Sequence, residues 1–185
     1  MVQGGHVVTV FGSSRAQPSD DDYDAAHRLG KLIAERGWTL CNGGHDGIME
    51  AAARGAKEAG GSTIGISLAL YRPTVRNRWL DQEIVAESLF IRLEKLVTLG
   101  DAYVVLRGGI GTLLELALVW NVLQWPQFAH KPLLVVGDDW RQVIENLWGR
   151  LPTYPSELER LTLVPSVDEA AQRLSLHFQD RGVKA

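Results

Sequence analysis

The residues best equipped for chemistry lie in one short stretch, Arg107-Gly108-Gly109-Ile110-Gly111-Thr112-Leu113-Leu114-Glu115. An apolar run, Ala102 to Leu106, leads into it, and an apolar helical pattern, Leu113 to Trp125, leads out. The order is therefore strand, glycine turn, helix. Glycines let the backbone pass close to a ligand and adopt positive φ. The start of the following helix offers unpaired N–H groups and a partial positive charge to an anion. Thr112 adds a hydroxyl donor, and Glu115 brings a carboxylate to the same mouth. A lone G-G-x-G also fits an ordinary tight turn. The hydroxyl, the carboxylate and the strand–helix context favour a site, with Gly108, Gly109, Gly111 and Thr112 around a phosphate and an acid beside it.

Two other junctions repeat the arrangement. Gly12-Ser13-Ser14-Arg15 follows the apolar run Val7 to Phe11. It is not the G-x-G-x-x-G fingerprint, so NAD or FAD binding loses its main support. Its small residues, Gly12 and Ser13, suit either a plain loop or close approach of a ligand. Asn42-Gly43-Gly44-His45-Asp46-Gly47 follows Trp38 to Cys41. His45 there is a candidate acid or base, although a loop histidine is more often simply solvated. Arg92 lies near the start of an amphipathic helical pattern, Phe90 to Val97. It either reaches the site or pairs on the surface with a neighbour such as Glu94. Ala69 to Asp81 is irregular and holds Arg72, Arg76 and Arg78 with Pro73 and Trp79. A solvent-facing loop explains it slightly better than a cationic lid over a phosphate. Asp20-Asp21-Asp22 reads as helix capping behind Ser19 rather than as a metal site, because no ligand partners sit at defined spacing.

These residues need a scaffold that brings three glycine turns together. Short apolar runs alternate with helical patterns along the whole chain. The runs are Val7–Phe11, Trp38–Cys41, Ser62–Ser67, Glu83–Glu87, Ala102–Leu106, Lys131–Val136 and Leu161–Val164. Helical patterns lie between them, from Ser19 to Arg36, Ile48 to Ala59, Phe90 to Val97, Leu113 to Trp125 and Trp140 to Trp148, with a last one from Asp168 to Phe178. The tail from Gln179 reads as frayed. Such alternation predicts an α/β, Rossmann-like, doubly wound parallel sheet with helices on both faces. In that architecture ligands bind outside the carboxyl ends of the strands, at a switch in strand order. No linker, repeat or low-complexity segment interrupts residues 1–185, so a single domain is expected. The Leu113–Trp125 pattern is apolar almost all round, more than one stripe against a sheet requires. Its outer side is expected to meet a second copy in a homodimer.

Bulk properties narrow the class. Hydrophobic residues make up 45% and charged residues 22%, as in an ordinary globular protein. A net charge of −3 gives no footprint for nucleic acid. One cysteine, Cys41, excludes an intrachain disulfide and suits a reducing, cytoplasmic setting. No signal-peptide pattern opens the chain, and no apolar window nears the roughly 18 residues of a membrane span.

At this point the motifs are familiar. The chain resembles the LOG family, long mislabelled as lysine decarboxylases, over about residues 6 to 150. Its P-G-G-x-G-T-x-x-E motif is matched from Gly108 to Glu115, and its G-G-x-x-G-x-M junction from Gly43 to Met49. Phe11-Gly12-Ser13-Ser14-Arg15 and Glu50 to Ala56 look like the bacterial branch. The resemblance implies a Rossmann-like dimer with phosphoribohydrolase chemistry, in which a nucleoside 5′-monophosphate is split to free base and ribose 5-phosphate. It implies that Arg92 and Glu115 are the catalytic pair, and that no metal or organic cofactor is needed. A decarboxylase would need pyridoxal phosphate on a lysine, and none of the three glycine turns holds one. Three positions depart from the family pattern. Arg107 replaces the motif proline, Leu93 replaces the lysine after the arginine, and Asn121 stands where many members have threonine. Relatives resembling molybdenum-cofactor carriers use a similar loop without catalysis, so a non-catalytic nucleotide or pterin-phosphate binder is the alternative.

Overall fold

Strands that are buried on both faces carry continuous apolar runs, and the runs above form strands of one sheet, fully buried at its centre and partly exposed at its edges. The computed structural model describes residues 5–71, 77–152 and 154–182. In chain order the strands are β1 (Val7–Phe11), β2 (Thr39–Asn42), β3 (Thr63–Leu68), β4 (Gln82–Ala86), β5 (Ala102–Val105), β6 (Leu133–Val136) and β7 (Leu161–Val164). The helices are α1 (Asp21–Glu35), α2 (Ile48–Glu58), α3 (Leu89–Leu99), α4 (Ile110–Val122), α5 (Asp138–Trp148), α6 (Pro155–Leu158) and α7 (Val167–Gly182). A 3₁₀ turn, Ala69–Tyr71, follows β3.

All seven strands pair in parallel, in the order β4-β3-β2-β1-β5-β6-β7. From β1 the chain builds outward through β2, β3 and β4. It then crosses back to lay β5 on the other side of β1. The switch in strand order thus falls between β1 and β5, whose ends carry Gly12 and Gly108.

Side chains alternate across the pleat, so the central strands feed two cores. On β5, Ala102 and Val104 face the layer of α1, α2 and α7, and Tyr103 and Val105 face α3, α4 and α5. In the first layer α1 and α2 cross with their backbones nearly touching. A Cβ on Gly30 would stand 1.9 Å from the Ala52 carbonyl oxygen.

Several boundaries differ from the sequence reading. Asp20, not Ser19, is the N-cap of α1: its backbone is extended, and its Oδ2 accepts the Gln17 N–H at 2.8 Å. Helix α4 starts at Ile110, three residues early, so Gly111 and Thr112 lie inside its first turn. It ends at Val122, and turn bonds such as Trp125 N–H to Val122 carry the chain on. Gln179 and Asp180 continue α7 rather than fraying.

The apolar excess of α4 also has a partly different cause. Leu116, Val119, Val122 and Leu123 are buried in the core. Trp120 is covered within the chain, stacking on Trp148 with ring centroids 5.9 Å apart and donating its indole N–H to the Glu157 carbonyl at 2.6 Å. Of the large apolar side chains of this stretch, those exposed are Ile110, Leu114 and Trp125.

Candidate active site

The three glycine turns meet at the switch point. Ser13 N–H donates to the Arg107 carbonyl at 3.0 Å, and Ile48 N–H donates to the Ser13 carbonyl at 2.9 Å. The first turn is thereby tied both to the end of β5 and to the start of α2. The Ser13 hydroxyl accepts the Arg15 N–H at 3.1 Å. Gly12 is packed over Ile48, whose side chain a Cβ there would strike.

Asn42 shapes the second turn, a role that the sequence reading did not assign. Its Oδ1 accepts the Gly44 N–H at 2.8 Å, and its Nδ2 donates to the Met49 carbonyl at 2.9 Å. Asparagine ahead of glycines is a turn signal with this mechanism. Gly44 takes φ +74, which favours glycine. Asn77 Nδ2 holds the same turn from outside, donating to the His45 carbonyl at 3.2 Å.

Arg92 and Glu115 come together across these turns. The Arg92 Nη1 lies 3.0 Å from Glu115 Oε1, and its Nε donates to the Ile66 carbonyl at 2.9 Å. Arg92 thus pairs with Glu115 rather than with Glu94 on its own helix. Both side chains keep only about a tenth of their surface, 10% and 11%. Gly43 makes the arrangement possible. A Cβ at Gly43 would lie 2.0 Å from Arg92 Nη2. Burial pushes the Glu115 carboxyl above the usual carboxylate range, while the Arg92 charge and hydrogen bond act the other way. Half-buried His45 is pushed down, first by burial and then by the Arg92 charge, so its imidazole is neutral at pH 7.

The helix starts at this edge differ in charge. Helix α1 opens with Asp21, Asp22 and Asp24, α2 with Glu50, α5 with Asp138 and Asp139, and α7 with Asp168 and Glu169. Those carboxylates already answer the positive helix ends. The start of α3 is capped by Ser88, whose side chain accepts the Ile91 N–H at 3.3 Å. Among the described residues α4 alone combines a first turn without acids and an N-cap without a side-chain bond. Gly109 and Gly111 are exposed there, and Thr112 is buried with its Oγ1 against Gly108. Glu115 follows Thr112 one turn further along the helix.

Of the basic residues in the β3–β4 connection, Arg78 lies over the Trp79 ring at 4.9 Å. Arg72, Pro73 and Arg76 fall outside the described residues. No group of three or more metal-ligating side chains occurs among the described residues. No described helix is long and apolar enough to cross a membrane.

A parallel sheet with glycine turns at its switch point defines a Rossmann-like α/β protein, and known proteins are similar to it in sequence and fold. The sequence model of the SLOG cluster4 family matches residues 5–142. A cytokinin riboside 5′-monophosphate phosphoribohydrolase of Mycobacterium tuberculosis is 33% identical over 156 residues, covering 80% of this chain and 82% of that protein. The protein of the same name from Mycobacterium marinum is 32% identical, covering 80% and 83%. Among solved structures, the molybdenum cofactor binding protein of Rippkaea orientalis superposes with a TM-score of 0.75 at 27% identity, covering 94% of this chain and 97% of that one. The chain belongs to the SLOG cluster4 family and, by its mycobacterial relatives, to the LOG family.

Proposed function

We propose that this protein is a nucleoside 5′-monophosphate phosphoribohydrolase. The observation that carries the reading is the buried Arg92–Glu115 pair, 3.0 Å apart, beside a helix start that has no acid in its first turn and no side-chain cap. The 5′-phosphate takes the N–H groups and hydroxyl of Gly108, Gly109, Gly111 and Thr112. Gly12, Ser13, Gly43 and Gly44 form the walls of the crevice. The N-glycosidic bond then lies against the pair.

Breaking that bond builds positive charge on the ribose, as in glycoside cleavage. Glu115 faces the developing charge and takes a proton from the attacking water, whose oxygen ends on C1′. The bonding electrons leave with the base, which picks up a proton, and Arg92 offsets the negative charge on that side. Base and ribose 5-phosphate are the products, and the balance needs only water. The raised carboxyl of Glu115 suits this role, because a base works best when its pKa approaches the working pH. The names of the mycobacterial relatives support the same substrate class.

The reading includes a homodimer formed through the outer stripe of α4, and a reducing cytoplasm in which buried Cys41 stays a thiol. A second reading, a non-catalytic carrier of a pterin phosphate, draws on the likeness to the molybdenum cofactor binding protein. A panel of nucleoside monophosphates scored for ribose 5-phosphate separates the two. Release of base from AMP, lost in Glu115→Gln, is the expected result. Tight pterin-phosphate binding with no turnover of any nucleotide would replace the hydrolase with the carrier.

A further inference from the structure

Arg107 stands immediately before the glycines that face the ligand. Its backbone is fastened from two sides. Its carbonyl accepts the Ser13 N–H at 3.0 Å, and the preceding Leu106 carbonyl accepts the Trp140 indole N–H at 2.9 Å. The side chain then engages its flanks. Nε lies 3.0 Å from Asp139 Oδ2, and Nη1 lies 3.5 Å from Asp22 Oδ2. Asp22 belongs to the first turn of α1, which follows β1, and Asp139 to the first turn of α5, which follows β6. Those strands flank β5 on either side. One guanidinium therefore spans three neighbouring strand ends, roughly 10 Å at the usual strand spacing. Beyond Arg107 the turn passes into α4, with Thr112 against Gly108 and the Leu113 N–H donating to the Gly109 carbonyl at 2.9 Å. On its outer side it is open: apart from the adjoining residues and the backbone of α4, nothing lies within 4 Å of where a Cβ would stand on Gly109 or Gly111.

We propose that Arg107 is a positioning residue for the phosphate turn, tying it to the starts of α1 and α5 through Asp22 and Asp139 so that Gly108–Thr112 is held ready for an anion. The inference rests on the anion-binding half of the functional reading and not on turnover. Two carboxylates already occupy the guanidinium, so its role is mechanical rather than that of a phosphate ligand. That distinction fixes the sign of an experiment. Removing the aspartates lowers the negative charge near the anion, which by Coulomb attraction alone tightens binding. If the tether matters, their removal weakens it.

The test is calorimetric binding of ribose 5-phosphate and AMP to the full chain, with adenosine as the phosphate-free reference. Arg107→Ala is expected to weaken both phosphates roughly three- to tenfold, the scale of two exposed ion pairs, and to leave adenosine unchanged. The Asp22→Asn/Asp139→Asn pair should weaken them comparably, and should add nothing once Arg107 is alanine. Arg107→Lys should recover less than half of the loss, because an ammonium lacks the fork that reaches two partners. Arg107 is 66% exposed, so these variants fold, and a melting curve checks it. Tighter phosphate binding in the aspartate variant would make Arg107 a direct ligand and overturn the proposal. So would an unchanged Arg107→Ala, or an equal loss for adenosine. A wild-type protein that binds ribose 5-phosphate but cleaves no nucleotide sinks the hydrolase reading and leaves this inference standing. One that binds neither phosphate sinks the inference.

Discussion

At the scale of single residues, the site depends on a carboxylate and a guanidinium that share a space kept open by a missing side chain. Glu115→Gln keeps the shape and a hydrogen-bond acceptor for Arg92 but removes the base. It should lower kcat/KM for AMP by about 10²–10⁴-fold, the usual worth of general acid–base catalysis. Glu115→Ala is a poorer probe, because stranding a buried arginine costs about 3–5 kcal/mol of stability. In the proposed mechanism the working form of Glu115 is the carboxylate, and burial raises its pKa. Activity should therefore fall as pH drops through that raised value, at higher pH than an ordinary glutamate with a pKa of about 4.3 would dictate. Arg92 opposes the rise, so Arg92→Met should push the Glu115 titration higher still, as followed by carboxyl NMR. A titration moving down would contradict the pairing. Gly43→Ala tests the open space. The backbone at Gly43 lies outside the left-handed region, so the strain falls on Arg92 Nη2, 2.0 Å from the new Cβ, with Met49 Sδ next at 2.8 Å. A loss of about 10²-fold in kcat with a small shift in melting temperature is expected, since small misplacements cost rate more than stability. The sequence offered Arg92, Glu115 and Gly43 as candidates through motif and spacing. It did not show that Gly43 makes room for Arg92, because that contact joins a β2 turn to α3 and exists only in three dimensions.

At the scale of elements, legibility followed the strength of the local pattern. The five inner strands were readable because two-sided burial demands largely apolar runs, and the two edge strands, which are half-buried, from their β-branched residues between turns. The start of α4 was misread because Gly109-Ile110-Gly111 has poor helix propensity, about 1 kcal/mol per glycine, which packing overrides. The short α6 and the 3₁₀ turn after β3 are too brief to carry a period. The crossing of α1 on α2 gives a prediction in which two effects compete. Gly30→Ala raises helix propensity by about 1 kcal/mol. The same methyl meets the Ala52 carbonyl oxygen at 1.9 Å, a rigid backbone atom in a neighbouring helix. Overpacking of that kind costs typically about 1–3 kcal/mol, and a contact this short belongs at the upper end. The variant should therefore melt below the wild type. A higher melting temperature would mean that the helices separate cheaply. The site should respond too, because α2 starts at the turn that carries Gly43 and Gly44.

At the scale of the whole molecule, strand order decides what meets. The alternation of elements announces a parallel sheet, but not that β5 lies beside β1, since that pairing joins segments about ninety residues apart. Without it the turns at Gly12 and Gly108 would not share a crevice. The same face raises the question of assembly. With Trp120 covered by Trp148 and α6, the outward apolar set on α4 shrinks to Ile110, at 83% exposure, and Leu114, at 43%, with Trp125 just beyond the helix. Ile110 and Leu114 are four residues apart and so lie on one stripe. The first turn of α3, joined to α4 by the Arg92–Glu115 pair, adds Phe90 at 83% and Leu89 at 42%. Large apolar side chains at the starts of two helices on one face fit a self-complementary twofold contact. Light scattering should then give twice the 20.4 kDa chain mass at micromolar concentration. Leu114→Lys is the better disrupting change, because Ile110 belongs to the turn proposed to hold the anion. It should return the mass to that of one chain while leaving ribose 5-phosphate affinity within about twofold, as the charge points away from Thr112 and Glu115, both of which are buried. A wild type that scatters as one chain would remove the dimer, and the stripe on α4 would then be ordinary exposed surface.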